Sequence, residues 1–274
     1  MSAARDALER IARAPDASID PIEAALWIAA EEYPALQVAD YLARLDALAD
    51  GAAHQLATAR DLSGRVTALN RFLFEEQRFA GDTRRYYDPR NSYLNEVLDR
   101  RLGIPITLAL VYMGVGRRLD VDVQGISFPG HFLVKCVADD EIVIDPYAGV
   151  ILSPESCQER LRAAVGAEAR LTAETLRAAT AREILVRMLS NLKQIFVKQS
   201  DLERALACCE RILLLVPDSP RELRDRAAVY AELGYLAAAA ADLDRLAEVA
   251  PTDPYAAVAR RQRDTLRRRL GRLH

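Results

Sequence analysis

The sequence predicts an α+β chain in two parts. Over residues 1–180, a helical N-terminal region leads into one buried helix and a small antiparallel sheet; over 181–274, an all-α repeat region follows. Three observations predict this. Apolar residues recur at helical spacing through the first ninety positions and again from about Ala181. Between Val121 and Ile144 the period shortens to that of strands. Finally, Pro217-Asp-Ser-Pro220 recurs as Pro251-Thr-Asp-Pro254, 34 residues on.

In chain order, SIDP offers a cap for a helix over Pro21 to Ala29, and Tyr33 through Ala59 carries Leu36, Tyr41, Leu42, Leu45, Leu48 and Leu56 at helical spacing. Asp61 and Ser63 restart a helix carrying Val66, Leu69, Phe72, Leu73 and Phe74, which ends in the polar loop AGDTRRYYDPRNS. Asn91 or Ser92 is expected to cap a helix through Arg101, with Gly103 ending it. Pro105 suits the first turn of the next helix, where its missing N–H removes no bond. That helix, ITLALVYMGVGRRL, is apolar nearly all round and is therefore the expected central helix. Val121 to Ser127, Phe132 to Val137 and Ile142 to Ile144 read as short strands, followed by a helix from Pro154 to about Val165.

The 34-residue recurrence is the tetratricopeptide period. In register, Leu189 lies over Leu223, Phe196 over Tyr230, Ala205 over Ala239 and Ile212 over Leu246. The small alanines fall where paired helices approach closely. Two helix hairpins are expected, about 184–217 and 218–251, closed by a helix from about Asp253 to Leu270. The first copy departs from the second in having Gln199-Ser200 where the second has Leu233-Gly234. Two copies are fewer than a free-standing solenoid needs, so the repeats are expected to lean on the N-terminal part.

Chemistry concentrates in the hairpin. His131 opens one expected strand and Asp145 closes the next. A turn centred on Ala138 would set Lys135 against Glu141, Leu133 against Val143 and His131 against Asp145, all on one face, since strand side chains alternate. That face is expected to turn toward the start of the Pro105 helix. A carboxylate beside an imidazole fixes its tautomer and supports it as a base.

The block from Asn91 to Leu152, with GIPITLALVY and FPGHFLVK inside it, resembles a transglutaminase-like core. In that superfamily a cysteine at the N-terminus of a buried helix precedes a strand histidine and a next-strand aspartate. With two repeats behind it, nearly the whole chain is similar to the bacterial SirB-type family, whose name records a proposed link to regulation of invasion genes. Carried over by position, the superfamily's Gly-x-Cys falls on Gly103-Ile104-Pro105, and its Arg-x-Leu-Gly-Ile on Arg117-Arg118-Leu119-Asp120-Val121. Pro105 therefore stands where the thiol belongs, while His131 and Asp145 match the base and its orienting carboxylate. The resemblance implies a remnant triad of His131 and Asp145, with Thr107 the nearest hydroxyl, turned about 200° around the helix from residue 105. Asn91, Ser92 and Tyr93, at the start of that block, are the expected binding residues, although Ser92 also reads as a helix cap.

The remaining features exclude more than they suggest. With 37 Lys and Arg against 40 Asp and Glu, the net charge of −3 gives no general pull toward nucleic acid or anionic membrane. No signal-like start or membrane-length apolar run occurs, so a cytoplasmic address is expected. Cys136, Cys157, Cys208 and Cys209 lack metal spacing and read as reduced packing thiols, while His54 and His274 read as inert. No cofactor and no metal is expected. The seven arginines of the last fifteen residues read as the charged face of a terminal helix. Two functions stay open: an interaction protein that binds a protein or peptide and has lost thiol catalysis, or an amide hydrolase or acyltransferase using His131 as base with Thr107 or water attacking. The first is the expectation.

Overall fold

The structure is a computed structural model and describes residues 3–252, 254 and 256–270. These form two compact units that divide after Leu185.

The first unit opens with α1 (Ala3–Arg13), α2 (Pro21–Glu32), α3 (Val38–Ala57) and α4 (Leu62–Asn70), the last running on as a π-helical stretch over Arg71–Glu76. Asp20 and Asp61 cap α2 and α4 by accepting the backbone N–H of Ile22 and Gly64. A pair of two-residue parallel strands, β1 (Ala80–Gly81) and β2 (Leu102–Gly103), brackets α5 (Leu94–Arg100). The expected end of α5 at Gly103 is corrected: Arg101, at φ 59°, takes the left-handed turn, which leaves Gly103 to extend beside Gly81. Ser92 does not cap α5 either; it ends a 3₁₀ turn over Pro89–Ser92 that Asp88 caps.

Helix α6 (Pro105–Arg118) is the centre of this unit, buried along almost its whole length. It packs against α2, α3, α5 and the sheet. Each fully buried Leu, Val or Ile contributes roughly 1.5–3 kcal/mol, so an all-round apolar helix is stable only in such a setting. Tyr112 is wholly buried yet satisfied, its hydroxyl 2.9 Å from Asn70 Oδ1. The sheet is antiparallel in the order β3 (Asp122–Ile126), β4 (Leu133–Val137), β5 (Glu141–Asp145) and β6 (Val150–Leu152), and α7 (Pro154–Val165) follows.

The hairpin register differs from the expected one by two residues: Val137 pairs with Glu141 and Lys135 with Val143. The expected register would have set Asp140 opposite Cys136, which is fully buried. Burying that carboxylate without a partner is unfavourable. Sliding by two leaves Asp139 and Asp140 in the exposed turn and brings Ile142 opposite Cys136, with every side chain still on its own face.

The boundary between units falls in α8 (Ala181–Lys198), and α9 (Leu202–Leu215), α10 (Pro220–Glu232), α11 (Leu236–Val249) and α12 (Ala256–Leu270) complete the second unit. These are the helix hairpins and closing helix that the recurrence predicts; Asp253 and His274 lie outside the described residues. The equivalent positions Leu189 and Leu223, Ala205 and Ala239, and Ile212 and Leu246 are all buried. Gln199-Ser200 fits the repeat after all, because Ser200, at φ 59°, adopts the left-handed turn that Gly234 makes at φ 82°. On α12, Arg263 and Arg267 both reach Asp244 of α11, as a charged outer face would.

Candidate functional site

Asp145 organises the candidate site. It is 1% exposed at the end of β5, where its Oδ1 accepts the backbone N–H of Tyr147 (2.9 Å) and Ala148 (3.2 Å) and meets His131 Nε2 at 2.8 Å. His131 itself lies two residues ahead of β4, and the shifted register makes the pair diagonal neighbours rather than directly opposed. Lys135 and Glu141 meet across the same diagonal at 2.7 Å. Arg160 of α7 stands 2.9 Å from Asp145 Oδ2, at ion-pair range but not aligned for a hydrogen bond. Burial pushes the Asp145 carboxyl up, yet the His131 hydrogen bond and charge, Arg160 and the Ala148 N–H together hold it below the usual carboxylate range.

The face carrying Asp145 is turned to α7. Val143, two residues earlier on β5, packs with Leu133, Leu152, Cys157 and Leu161. The opposite face bears Cys136, which lies against Tyr112 of α6. The expected orientation toward the start of the Pro105 helix is thus corrected, for strand alternation gives α6 the other, uniformly apolar face.

At the start of α6, Pro105 holds the first-turn position and Thr107 is fully buried. The Thr107 hydroxyl donates to the Asn91 carbonyl at 2.7 Å and accepts the Ile104 N–H at 3.2 Å. Asn91, also fully buried, ties into a network absent from the sequence reading: its Nδ2 donates to Asp82 Oδ2 (3.2 Å) and the Arg85 carbonyl (2.7 Å), and its Oδ1 accepts from Arg100. Ser92 is fully buried with its Oγ unpartnered, and Asn95 Oδ1 is in the same condition. Tyr93 is buried edge-to-face against Tyr33, the ring centroids 5.4 Å apart. The two regions approach each other through Tyr147. Its ring lies edge-on to His131 at 6.1 Å and so close over Gly81 that a Cβ there would come within 2.5 Å of ring atoms Cδ2 and Cζ. Gly81 pairs with Gly103, and Gly103 abuts Thr107.

The four cysteines are all buried, and burial pushes the thiols of Cys136 and Cys209 up to about 12. Among the described residues no cluster of three or more His, Cys, Asp or Glu side chains could hold a metal, and no helix is long and apolar enough to cross a membrane.

Two family models match the chain: the transglutaminase-like superfamily over residues 39–190 and a tetratricopeptide repeat over 192–270. A UPF0162 protein of Xylella fastidiosa is 40% identical over 247 residues, covering 88% of each chain. Another UPF0162 protein, of Pseudomonas aeruginosa, is 37% identical, covering 81% of this chain and 82% of its own. Protein SirB1 of Salmonella typhimurium is 28% identical, over 86% of this chain and 87% of its own. No solved structure matches. The chain belongs to the transglutaminase-like superfamily and carries a tetratricopeptide region behind that core.

Proposed function

We propose that this member of the transglutaminase-like superfamily is a protein-interaction or regulatory factor with a degenerate catalytic site, binding a protein or peptide and performing no thiol chemistry. One observation carries the reading: the helix-start position holds Pro105, and the nearest hydroxyl, Thr107, is buried and donated to the Asn91 carbonyl. The cysteines do not replace it. A thiol raised to about 12, as in Cys136 and Cys209, is thiolate in roughly one part in 10⁵ at pH 7. The His131–Asp145 contact then serves to pin the entry to β4 against the end of β5. The repeat region supports binding of a protein or peptide.

A second reading, an amide hydrolase or acyltransferase with His131 as base and water attacking, draws on the intact 2.8 Å His131–Asp145 contact. Incubation with p-nitrophenyl acetate and with iodoacetamide, followed by intact-mass measurement, separates the two. The expected result is neither an acyl nor a thiol adduct on the native protein, and no nitrophenol release above that of the His131→Ala variant. Steady nitrophenol release that is lost in that variant would replace the degenerate-site reading with the hydrolase.

A further inference from the structure

The loop between β1 and α5 is shaped from inside. Asp82, 6% exposed, accepts the backbone N–H of Arg84 at 3.1 Å and of Arg85 at 2.8 Å. Its other oxygen takes Asn91 Nδ2 at 3.2 Å and Arg100 Nη2 at 3.5 Å, and Asn91 reaches back to the Arg85 carbonyl. A buried carboxylate and amide with a half-buried guanidinium form an expensive scaffold for a surface loop, whose backbone water could otherwise satisfy. What the scaffold achieves is display. Arg84 and Arg85 are exposed, and so are Tyr86 at 42% and Tyr87 at 58%.

The displayed side chains are continuous with the site around His131. Tyr86 meets Tyr87 edge-to-face at 5.2 Å and Tyr147 at 6.1 Å, and Tyr147 meets His131 at 6.1 Å. The Arg84 and Arg85 guanidinium groups have no carboxylate partner among the described residues, since the nearby Asp82 and Asp88 are bonded to the loop backbone, Asn91, Arg100 and Arg90. Two unpaired cations beside two exposed aromatic rings, on a chain of net charge −3, complement a ligand that is locally acidic and apolar. We infer that the Arg84–Tyr87 surface binds an acidic peptide, its carboxylates held by Arg84 and Arg85 and its apolar side chains by Tyr86 and Tyr87, on a path that leads to His131. The inference rests on the protein-interaction reading and gives its ligand a chemistry. A peptide fits better than single-stranded nucleic acid, because rings set at 80° and 68° to one another do not offer parallel faces for successive bases.

The test is fluorescence anisotropy on the full chain with a short labelled peptide of alternating aspartate and leucine, compared with an asparagine–leucine peptide and with oligo-dT. The aspartate peptide should bind, and more weakly as salt rises. Arg84→Gln with Arg85→Gln, and separately Tyr86→Ala with Tyr87→Ala, should each weaken it by about tenfold or more, since one charge-assisted contact is worth about that factor. Circular dichroism of both variants should match the wild type; melting should be unchanged in the arginine variant, whose side chains are exposed, and lowered slightly in the tyrosine variant by loss of the Tyr86–Tyr147 contact. Equal binding of the asparagine peptide, an unchanged affinity in the arginine variant, or preference for oligo-dT would overturn the inference. The ester assay run on the same samples keeps the two readings apart. Peptide binding together with His131-dependent turnover keeps this surface and removes the degenerate site; absence of binding without turnover removes this surface alone.

Discussion

Each unit buries an ionic cluster, and the two are built in opposite ways. In the repeat unit, Lys193 on α8 is enclosed by Glu222 (2.6 and 2.8 Å) and Asp225 (2.8 Å) on α10, every partner drawn from within the stack. Burial alone would lower the Lys193 pKa, but the hydrogen bonds it donates to the two carboxylates raise it, and the ammonium is saturated. In the core unit, Asp145 is the buried group, and its neighbours His131 and Arg160 both retain access to solvent. Among the described residues, the buried side-chain oxygens that lack a hydrogen bond are Ser92 Oγ, Asn95 Oδ1 and Asp145 Oδ2, all in the core unit. The difference teaches that buried charge does not by itself mark a functional site. The closed cluster fixes how two repeats stack, whereas the open one leaves capacity for something else to bind.

Breaking the closed cluster should have the largest effect. Lys193→Met leaves two carboxylates facing each other without a cation and should cost about 3–5 kcal/mol in urea unfolding, while Lys193→Met with Glu222→Met should recover much of that loss. Similar stability of the single and double variants would show that the cluster is not a coupled unit. The open cluster should be less sensitive. Asp145→Asn keeps an acceptor for the Tyr147 and Ala148 N–H groups but gives up the charge, and should cost about 2 kcal/mol at pH 7.

The pH dependence sharpens the contrast. The Asp145 carboxyl is held below its usual range in the fold, so its contribution is present above the unfolded value of about 3.9 and is lost as pH falls through the folded value. The stability gap between wild type and Asp145→Asn should therefore shrink as pH falls below about 4. A gap that persisted at pH 2 would show that the asparagine acts through packing and not through charge.

Smaller effects probe the link from that cluster to α6. Gly81→Ala should cost about 1–2 kcal/mol by displacing the Tyr147 ring, read as a shift in thermal midpoint. Thr107→Val should cost about 1 kcal/mol through the lost bond to Asn91, with no change in any ester turnover. Loss of turnover in that variant would restore Thr107 as a candidate nucleophile.

Much of the fold was legible in local pattern. The all-apolar stretch after Pro105 became the central helix, and the 34-residue recurrence anticipated the two hairpins and the closing helix seen among the described residues, because periodicity records which face must be buried. His131 and Asp145 could be paired on paper for the same reason: a slip of two residues preserves the strand face, so an inexact register still brought them together. Proline's missing N–H placed Pro105 at the helix start, and the family resemblance made that the position where the superfamily's thiol belongs. Three things depended on the tertiary structure: the exclusion of Asp140 from the sheet interior, the turning of Asp145 toward Arg160, and the joining of Asp82, Asn91 and Arg100 into one network. Each turns on the environment of a polar group. Sequence by itself determines where charges lie along the chain, but whether one is buried, and which distant group then satisfies it, is decided only when the elements pack.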